Sequence, residues 1–224
     1  LAVENSSNTM WVNAAKSGDN WGVNLTYASS NSTSPSATDP STSVDAAKRT
    51  MMGADVNYSV GSFNLGVSYN TNTEEGMEDG KMASITAGYA VNDDLSISAS
   101  RTAYGEKGAF RSWMGSDMGA ADEDGGWLSS GNMGHLEMND VAMNVGVDYS
   151  MGAISLGLGW TNVSNNTTGL EDFKGTAMDI SLGYDLNDNA NLGLRYVTDK
   201  VEGHTDVTRN GDDKYMWMTL TVTP

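Results

Sequence analysis

The chain has 224 residues with 29 acidic and 12 basic side chains, and hence a formal net charge of −17. Because binding to nucleic acid needs clustered Lys and Arg, and the few basic residues are scattered, we expect no nucleic-acid partner. The chain has no Cys, which excludes disulfides and thiolate metal sites, and it lacks the long apolar run of a membrane-crossing helix.

Apolar and polar residues alternate along most of the chain, which predicts β-strands rather than helices. In the segment 53–70, one alternate set contains Val56, Tyr58, Leu65 and Val67, and the other set is small and polar. In chain order, the alternation and the turn signals predict eleven strands of roughly ten residues, at 9–16, 21–29, 49–60, 63–71, 81–91, 95–104, 140–151, 154–163, 174–186, 191–199 and 214–223.

The links between these strands alternate between short and long. Tight turns such as Gly61-Ser62 separate the strands of each hairpin, whereas the hairpins are joined by long links at 30–48, 72–80, 105–139, 164–173 and 200–213. Such sorting, with strands long enough to cross a bilayer when tilted, is typical of outer-membrane barrels. We therefore predict an all-β, transmembrane antiparallel up-and-down β-barrel that forms a single domain over 1–224.

A closed barrel of this kind needs an even number of strands, so we expect at least 12. The segment LAVENSS before residue 9 would supply the end of a further strand, and we expect the natural protein to extend beyond both ends of this sequence. The sequence does not give the strand number of the complete barrel.

The two faces of the predicted strands differ in a way that suits a barrel in lipid. The apolar face carries hardly any charge in its middle, with Arg101 as the exception near the long-link end, and aromatic residues lie near the strand ends. The other face is Gly, Ser, Asn, Thr and Asp rather than Lys and Glu, which favours a hydrated lumen over the open surface of a soluble β-sandwich. The sandwich remains the alternative.

Four strand–turn–strand units resemble those of Gram-negative general porins. Their sequences are NYSVGSFNLGVSYN, MASITAGYAVNDDLSISAS, VGVDYSMGAISLGLGWTN and ISLGYDLNDNANLGLRYV. The resemblance implies a bacterial outer-membrane location, contact with the lipid bilayer and lipopolysaccharide, a homotrimer, and passive diffusion of small hydrophilic solutes. It implies no enzymatic activity. The sequence ends in Pro224, whereas porins of this kind usually end in an aromatic residue.

The resemblance also implies that the longest link, 105–139, folds into the barrel as a constriction loop, with the acidic residues Asp117, Asp122, Glu123 and Asp124. A solvated external loop is the alternative. From the alternation, the residues predicted to line the lumen are Arg49, Asp55, Asn57, Asn64, Asn144, Asp148, Asp179, Asp185 and Arg195. Their acidic excess predicts a preference for cations, and Arg195 is the basic wall residue that would face the acidic loop.

Other chemistry has weak support. His135 and His204 are isolated, and no Ser lies in a recognisable nucleophile motif, which argues against zinc and against hydrolysis. The oxygen-rich turns lack the spacing of a calcium loop, so we expect no cofactor, with Ca²⁺ as the alternative. A structural barrel with a plugged, non-conducting lumen is the alternative function.

Overall fold

The computed structural model of the chain describes residues 2–6, 9–30, 33–35, 43–45, 48–74, 78–107, 138–165, 174–187, 189–203 and 210–222. These residues form fourteen strands: β1 (Ala2–Ser6), β2 (Thr9–Ser17), β3 (Trp21–Ser30), β4 (Thr33–Pro35), β5 (Ser43–Asp45), β6 (Arg49–Val60), β7 (Phe63–Glu74), β8 (Gly80–Ala90), β9 (Leu95–Tyr104), β10 (Asp140–Met151), β11 (Ile154–Asn165), β12 (Lys174–Asn187), β13 (Ala190–Glu202) and β14 (Gly211–Val222). In this part of the chain, no helix is long and apolar enough to cross a membrane.

Twelve of the strands form one antiparallel sheet in which neighbours in space are neighbours in sequence. The one interruption is that β3 pairs with β6, because β4 and β5 form a separate small hairpin within the link between them. The predicted up-and-down order of the eleven strands is confirmed, and the bounds of β6, β9 and β10 are those predicted. The expected strand before residue 9 is β1, whereas β4 and β5 had no alternation from which to predict them.

Two of the tight turns depend on a glycine with left-handed backbone. Gly61 and Gly152 have φ of 55° and 58°, and each is the first residue of a two-residue turn that closes a hairpin in register. Positive φ at the first turn position alone is the type II′ geometry, whose twist matches that of the strands. A side chain there would be strained, which explains the sequences Gly-Ser and Gly-Ala.

The register places all the alternate residues of one kind on the same side of the sheet. Leu158 on β11 lies opposite Val147 and Ile180, while its neighbour Gly157 lies opposite Asp148 and Ser181. We call the side of Leu158 the apolar face and the side of Gly157 the polar face. The apolar face is strongly solvent-exposed in the isolated chain, with 55% of Leu158 accessible, the reverse of a water-soluble sheet.

The polar face changes character along the strands. At the end nearest the long links it is packed, with Met51, Met82 and Val197 at 1% exposure or less. At the end nearest the short turns, polar-face residues such as Asn57 and Asp148 are exposed. The polar face is therefore packed at its long-link end and open at its short-turn end.

Candidate functional site: the polar face of the sheet

The residues predicted to line the lumen share one face. Arg49 and Asp55 lie opposite Ser30 and Asn24 of β3, and the register carries that face across every later strand to Arg195. The residues on it include all nine of the predicted set: Arg49, Asp55, Asn57, Asn64, Asn144, Asp148, Asp179, Asp185 and Arg195. The predicted constriction residues Asp117, Asp122, Glu123 and Asp124 lie outside the described residues.

Side-chain hydrogen bonds join the polar residues of β2, β3 and β6 into a continuous wall. Asn13 Nδ2 donates to Asn24 Oδ1 at 2.6 Å and to Thr26 Oγ1 at 3.0 Å. Asn24 Nδ2 in turn donates to Asp55 Oδ2 at 3.3 Å. These bonds run across strands, so short amide and carboxylate side chains are held against the wall rather than extending away from it.

A second network crosses β9, β10 and β11. Asn144 Nδ2 donates to Ser100 Oγ at 3.0 Å, and the Thr161 hydroxyl donates to Asn144 Oδ1. Nearer the long links, Asn165 Nδ2 donates to Asp140 Oδ1 at 2.9 Å, where Asp140 is completely buried. A buried carboxylate needs such partners, because an unpaired one would be costly.

Between the packed and open ends lies a recess of about 500 Å³ on β9 to β13. Gly146, Gly157 and Gly159 form its floor, and its polar lining is Ser98, Asn144, Asp148, Thr161, Asp179, Ser181 and Arg195. A Cβ on Gly146 would come within 2.7 Å of Ser98 Oγ, so the neighbouring side chain lies over the glycine. The floor is low because these positions carry no side chain.

Arg195 and Asp179 form an ion pair at the edge of this recess. Arg195 Nε donates to Asp179 Oδ2 at 2.7 Å, and the Nη2 group donates to the same oxygen. The sequence predicted that both residues line the lumen, and that Arg195 faces the acidic residues of the link 105–139. In the structure its charge is balanced by a carboxylate of the same wall.

Two aromatic residues on the polar face were missed from the sequence. Trp217 lies opposite Arg195 in the register, with the guanidinium carbon 5.8 Å from the centre of its ring, and the rings of Tyr215 and Trp217 are stacked at 5.7 Å. A signal was available, because Thr219 and Thr221 mark the polar set of β14 and share its alternation.

No protein-family model and no curated protein matches the chain. Solved structures do match it. A porin superposes with a TM-score of 0.58 at 14% sequence identity, and the match covers 95% of this chain and 63% of that one. The outer membrane protein OpdK of Pseudomonas aeruginosa superposes with a TM-score of 0.67 at 12% identity, and the match covers 98% of this chain and 57% of that one. OccAB2 of Acinetobacter baumannii matches at 0.63 and 13%, covering 94% and 55%.

The fold is that of an outer-membrane porin. The predicted resemblance to porins is confirmed at the level of the fold, and the chain spans 55 to 63% of the length of these three structures.

The exposed apolar face has aromatic residues where the porin fold would place them. Aromatic side chains lie at both ends of this face, and at the short-turn end the rings of Phe63 and Tyr89 are in contact at 4.4 Å. Such aromatic girdles mark the two interfaces of a barrel in a bilayer. Arg101 also lies on this face, toward the long links, with Ile85 and Met143 opposite it on the neighbouring strands.

Metal binding has no support within the described part of the chain, where no group of three or more His, Asp or Glu side chains is arranged to hold an ion. The Asn92 side chain, in one of the oxygen-rich turns, accepts the backbone N–H groups of Asp94 and Leu95 at 2.9 and 2.8 Å. That is an Asx turn closing the β8–β9 hairpin. His135 and His204 lie outside the described residues.

Proposed function

We propose that the protein is a channel of the bacterial outer membrane through which small hydrophilic solutes diffuse passively. The observation that carries the proposal is the two-sided sheet: one face is exposed and apolar between aromatic girdles, and the other holds short polar side chains bonded to their own wall. The first face suits lipid, and the second leaves room for water. The porin fold supports a channel rather than an enzyme.

We also propose that the channel prefers cations. On the polar face, Asp55 and Asp148 form no ion pair within the described residues, whereas the positive charge of Arg195 is balanced by Asp179. An excess of fixed negative charge along a pore raises the local cation concentration and lowers that of anions.

The link 105–139 is proposed to narrow the channel from within, with its acidic cluster at 117–124. Support comes from the packed long-link end of the polar face, where Met82 and Val197 are buried although they point away from the lipid side. The same burial favours the alternative of a plugged barrel that conducts nothing. A homotrimer and contact with lipopolysaccharide are further proposals that rest on the porin resemblance.

Conductance of the full-length protein in planar bilayers tests the channel itself. We expect large ohmic steps in KCl and, in a salt gradient, a reversal potential of the sign given by cation preference. Asp148→Asn should lower that preference. Asp212→Asn is the matched control, because it removes the same charge from the apolar side of β14 near the strand end. The absence of steps would favour the plugged barrel.

The acidic cluster is tested separately by changing Asp122, Glu123 and Asp124 together to Asn, Gln and Asn. If the link narrows the channel, both the conductance and the reversal potential change. If both stay as in the unmodified protein, the link does not form the constriction.

A further inference from the structure

Charge is sorted between the two faces of the twelve-stranded sheet. Among the side chains that the structure describes there, the acidic residues lie on the polar face except Glu202 and Asp212, whereas only Arg49 and Arg195 of the basic residues share that face. The basic residues on the apolar face are Lys16, Lys81, Arg101, Lys174, Lys200 and Lys214. In a chain with 29 acidic and 12 basic residues, the face that suits lipid is therefore the one with an excess of positive charge.

These basic residues lie at the long-link end of the apolar face, except for Lys16 at the short-turn end. The longer loops of an outer-membrane barrel are extracellular, so the long-link end belongs in the outer leaflet. On β13 and β14 acidic residues offset the charge, since Lys200 Nζ lies 2.6 Å from Glu202 Oε1 and Asp212 is the register partner of Lys200. β8 and β9 contain no acidic residue, so their positive charge is not offset within the two strands.

Lys81 on β8 and Arg101 on β9 carry that charge. Both are exposed, and neither forms an ion pair with any residue that the structure describes. Arg101 lies between Ile85 and Met143 in the register. β8 and β9 are at the centre of the sheet order with paired strands on both sides, so this exposure does not come from a sheet edge. A charge that faces lipid is costly without a partner, so these two side chains require an anion.

The surface between the two basic residues is a shallow depression. Ala83 and Ala103 are register partners there, and they separate Lys81 from Arg101 by roughly 13 Å along the strands, at about 3.3 Å per residue. Tyr69, which is 48% exposed, is the register partner of Ala83 on β7. Two long basic side chains can therefore converge over a floor of methyl groups, with a phenol group at its side.

We propose that Lys81 and Arg101 bind a phosphate group of lipopolysaccharide in the outer leaflet, over the floor formed by Ala83 and Ala103. The inference rests on the proposed function, because it gives the lipopolysaccharide contact of that channel a site and a chemistry. A guanidinium donates two parallel N–H groups to phosphate oxygens, an ammonium adds a point charge, and the Tyr69 hydroxyl is a further donor. The acyl chains of the lipid then extend along the apolar face toward the short turns.

The position of the pair favours a phosphorylated lipid over a soluble phosphate. Arg101 lies three residues inside the end of β9 at Tyr104, among apolar neighbours, so its ligand has to reach the edge of the apolar band. A phosphate attached to acyl chains is held at that depth. A phosphate monoester carries a charge of about −1.5 to −2 at pH 7, which suits two cations better than the single charge of a phosphodiester. Asp79 and Glu106 lie outside the ends of the two strands, farther from the apolar band.

Binding of diphosphorylated lipid A to the full-length protein in detergent tests the site, with the same lipid freed of phosphate as the control ligand. Lys81→Gln and Arg101→Gln should each raise the dissociation constant roughly 5-fold, and about 25-fold together, the effect expected of basic residues near an anionic membrane surface. Arg101→Lys keeps the charge and should lose less affinity than Arg101→Gln. The matched control is Lys16→Gln, which removes a charge from the short-turn end of the same face and should leave binding unchanged.

Each variant is compared after heat-modifiable gel migration has shown that it is folded. Equal affinity for the lipid without phosphate, or equal losses in Lys16→Gln and Arg101→Gln, overturns the site. Phosphatidylglycerol that binds as tightly as lipid A, with the same dependence on Lys81 and Arg101, overturns the assignment to lipopolysaccharide. Conductance keeps the two proposals apart: the double variant should give the same ohmic steps as the unmodified protein, and a protein that binds lipid A through this pair but gives no steps refutes the channel while supporting the site.

Discussion

Arg should destabilise the protein when it replaces Leu156 on the apolar face of β11, but not when it replaces the neighbouring Ser155 on the polar face. Leu156 lies on the apolar face between Tyr149 and Leu182, and Ser155 lies on the polar face between Ser150 and Gly183. The apolar-face residues of this strand run from Ile154 to Trp160, so their midpoint is at residue 157. With a rise of about 3.3 Å per residue and a tilt of about 40°, Leu156 lies roughly 2.5 Å from the middle of the apolar band.

At that depth Leu156→Arg should cost about 2 to 4 kcal/mol of folding free energy, or roughly a 30- to 900-fold change in the folding equilibrium. Ser155→Arg should cost little, because the long side chain extends into water at the open end of the polar face. Urea titration of the protein refolded into lipid vesicles, followed by heat-modifiable gel migration, measures both. Equal losses for the two variants, or a larger loss for Ser155→Arg, would show that the faces have been assigned the wrong way round.

Substitutions of three glycines should differ in effect, because the glycines differ in backbone conformation and in the space around them. Gly152→Ala places a side chain at a φ of 58° and should cost about 1 to 2 kcal/mol in the same titration, whereas Gly193→Ala, whose Cβ would meet nothing closer than 3.8 Å, should be nearly neutral. Gly157→Leu raises the floor of the recess and should lower single-channel conductance without altering the apolar face; an unchanged conductance would place the recess off the conduction path.

The hairpin at 53–70 shows why so much of this fold can be predicted from sequence. Alternation has a period of two residues, and a slip of one residue would move Val56 and Leu65 to the water side. The register Val56–Val67 and Tyr58–Leu65 is the one that keeps both faces uniform, and the left-handed Gly61 fixes the turn. Local chemistry and global fold therefore agree at every position of this hairpin.

The contacts between polar-face residues could not be predicted from the sequence in the same way. Alternation places Arg195 and Asp179 on one face, but their ion pair depends on the register of β12 against β13. That register passes through a bulge between Asp185 and Asn187, which a count from the turn does not reveal. Trp217 was missed because Met216 and Met218 make its strand look apolar throughout, although the alternation with Thr219 and Thr221 marks the face on which it lies.

The charge of Asp179, which lies between the packed and open ends of the polar face, should influence ion selectivity more than a charge near the short turns. Asp179→Asn leaves Arg195 without its ion-pair partner beside the recess, so the reversal potential should shift toward anions. Asp185→Asn removes the same charge near the β12–β13 turn, where the residue is exposed and its carboxylate is screened by ions at a Debye length of about 10 Å in 0.1 M salt. The shift should therefore be larger for Asp179→Asn at 0.1 M and the difference should shrink at 0.01 M, where the Debye length is about 30 Å and both charges act on the whole path. Equal shifts at 0.1 M would mean that the permeating ions do not pass closer to Asp179 than to Asp185, and the ion pair would then have no special part in selectivity.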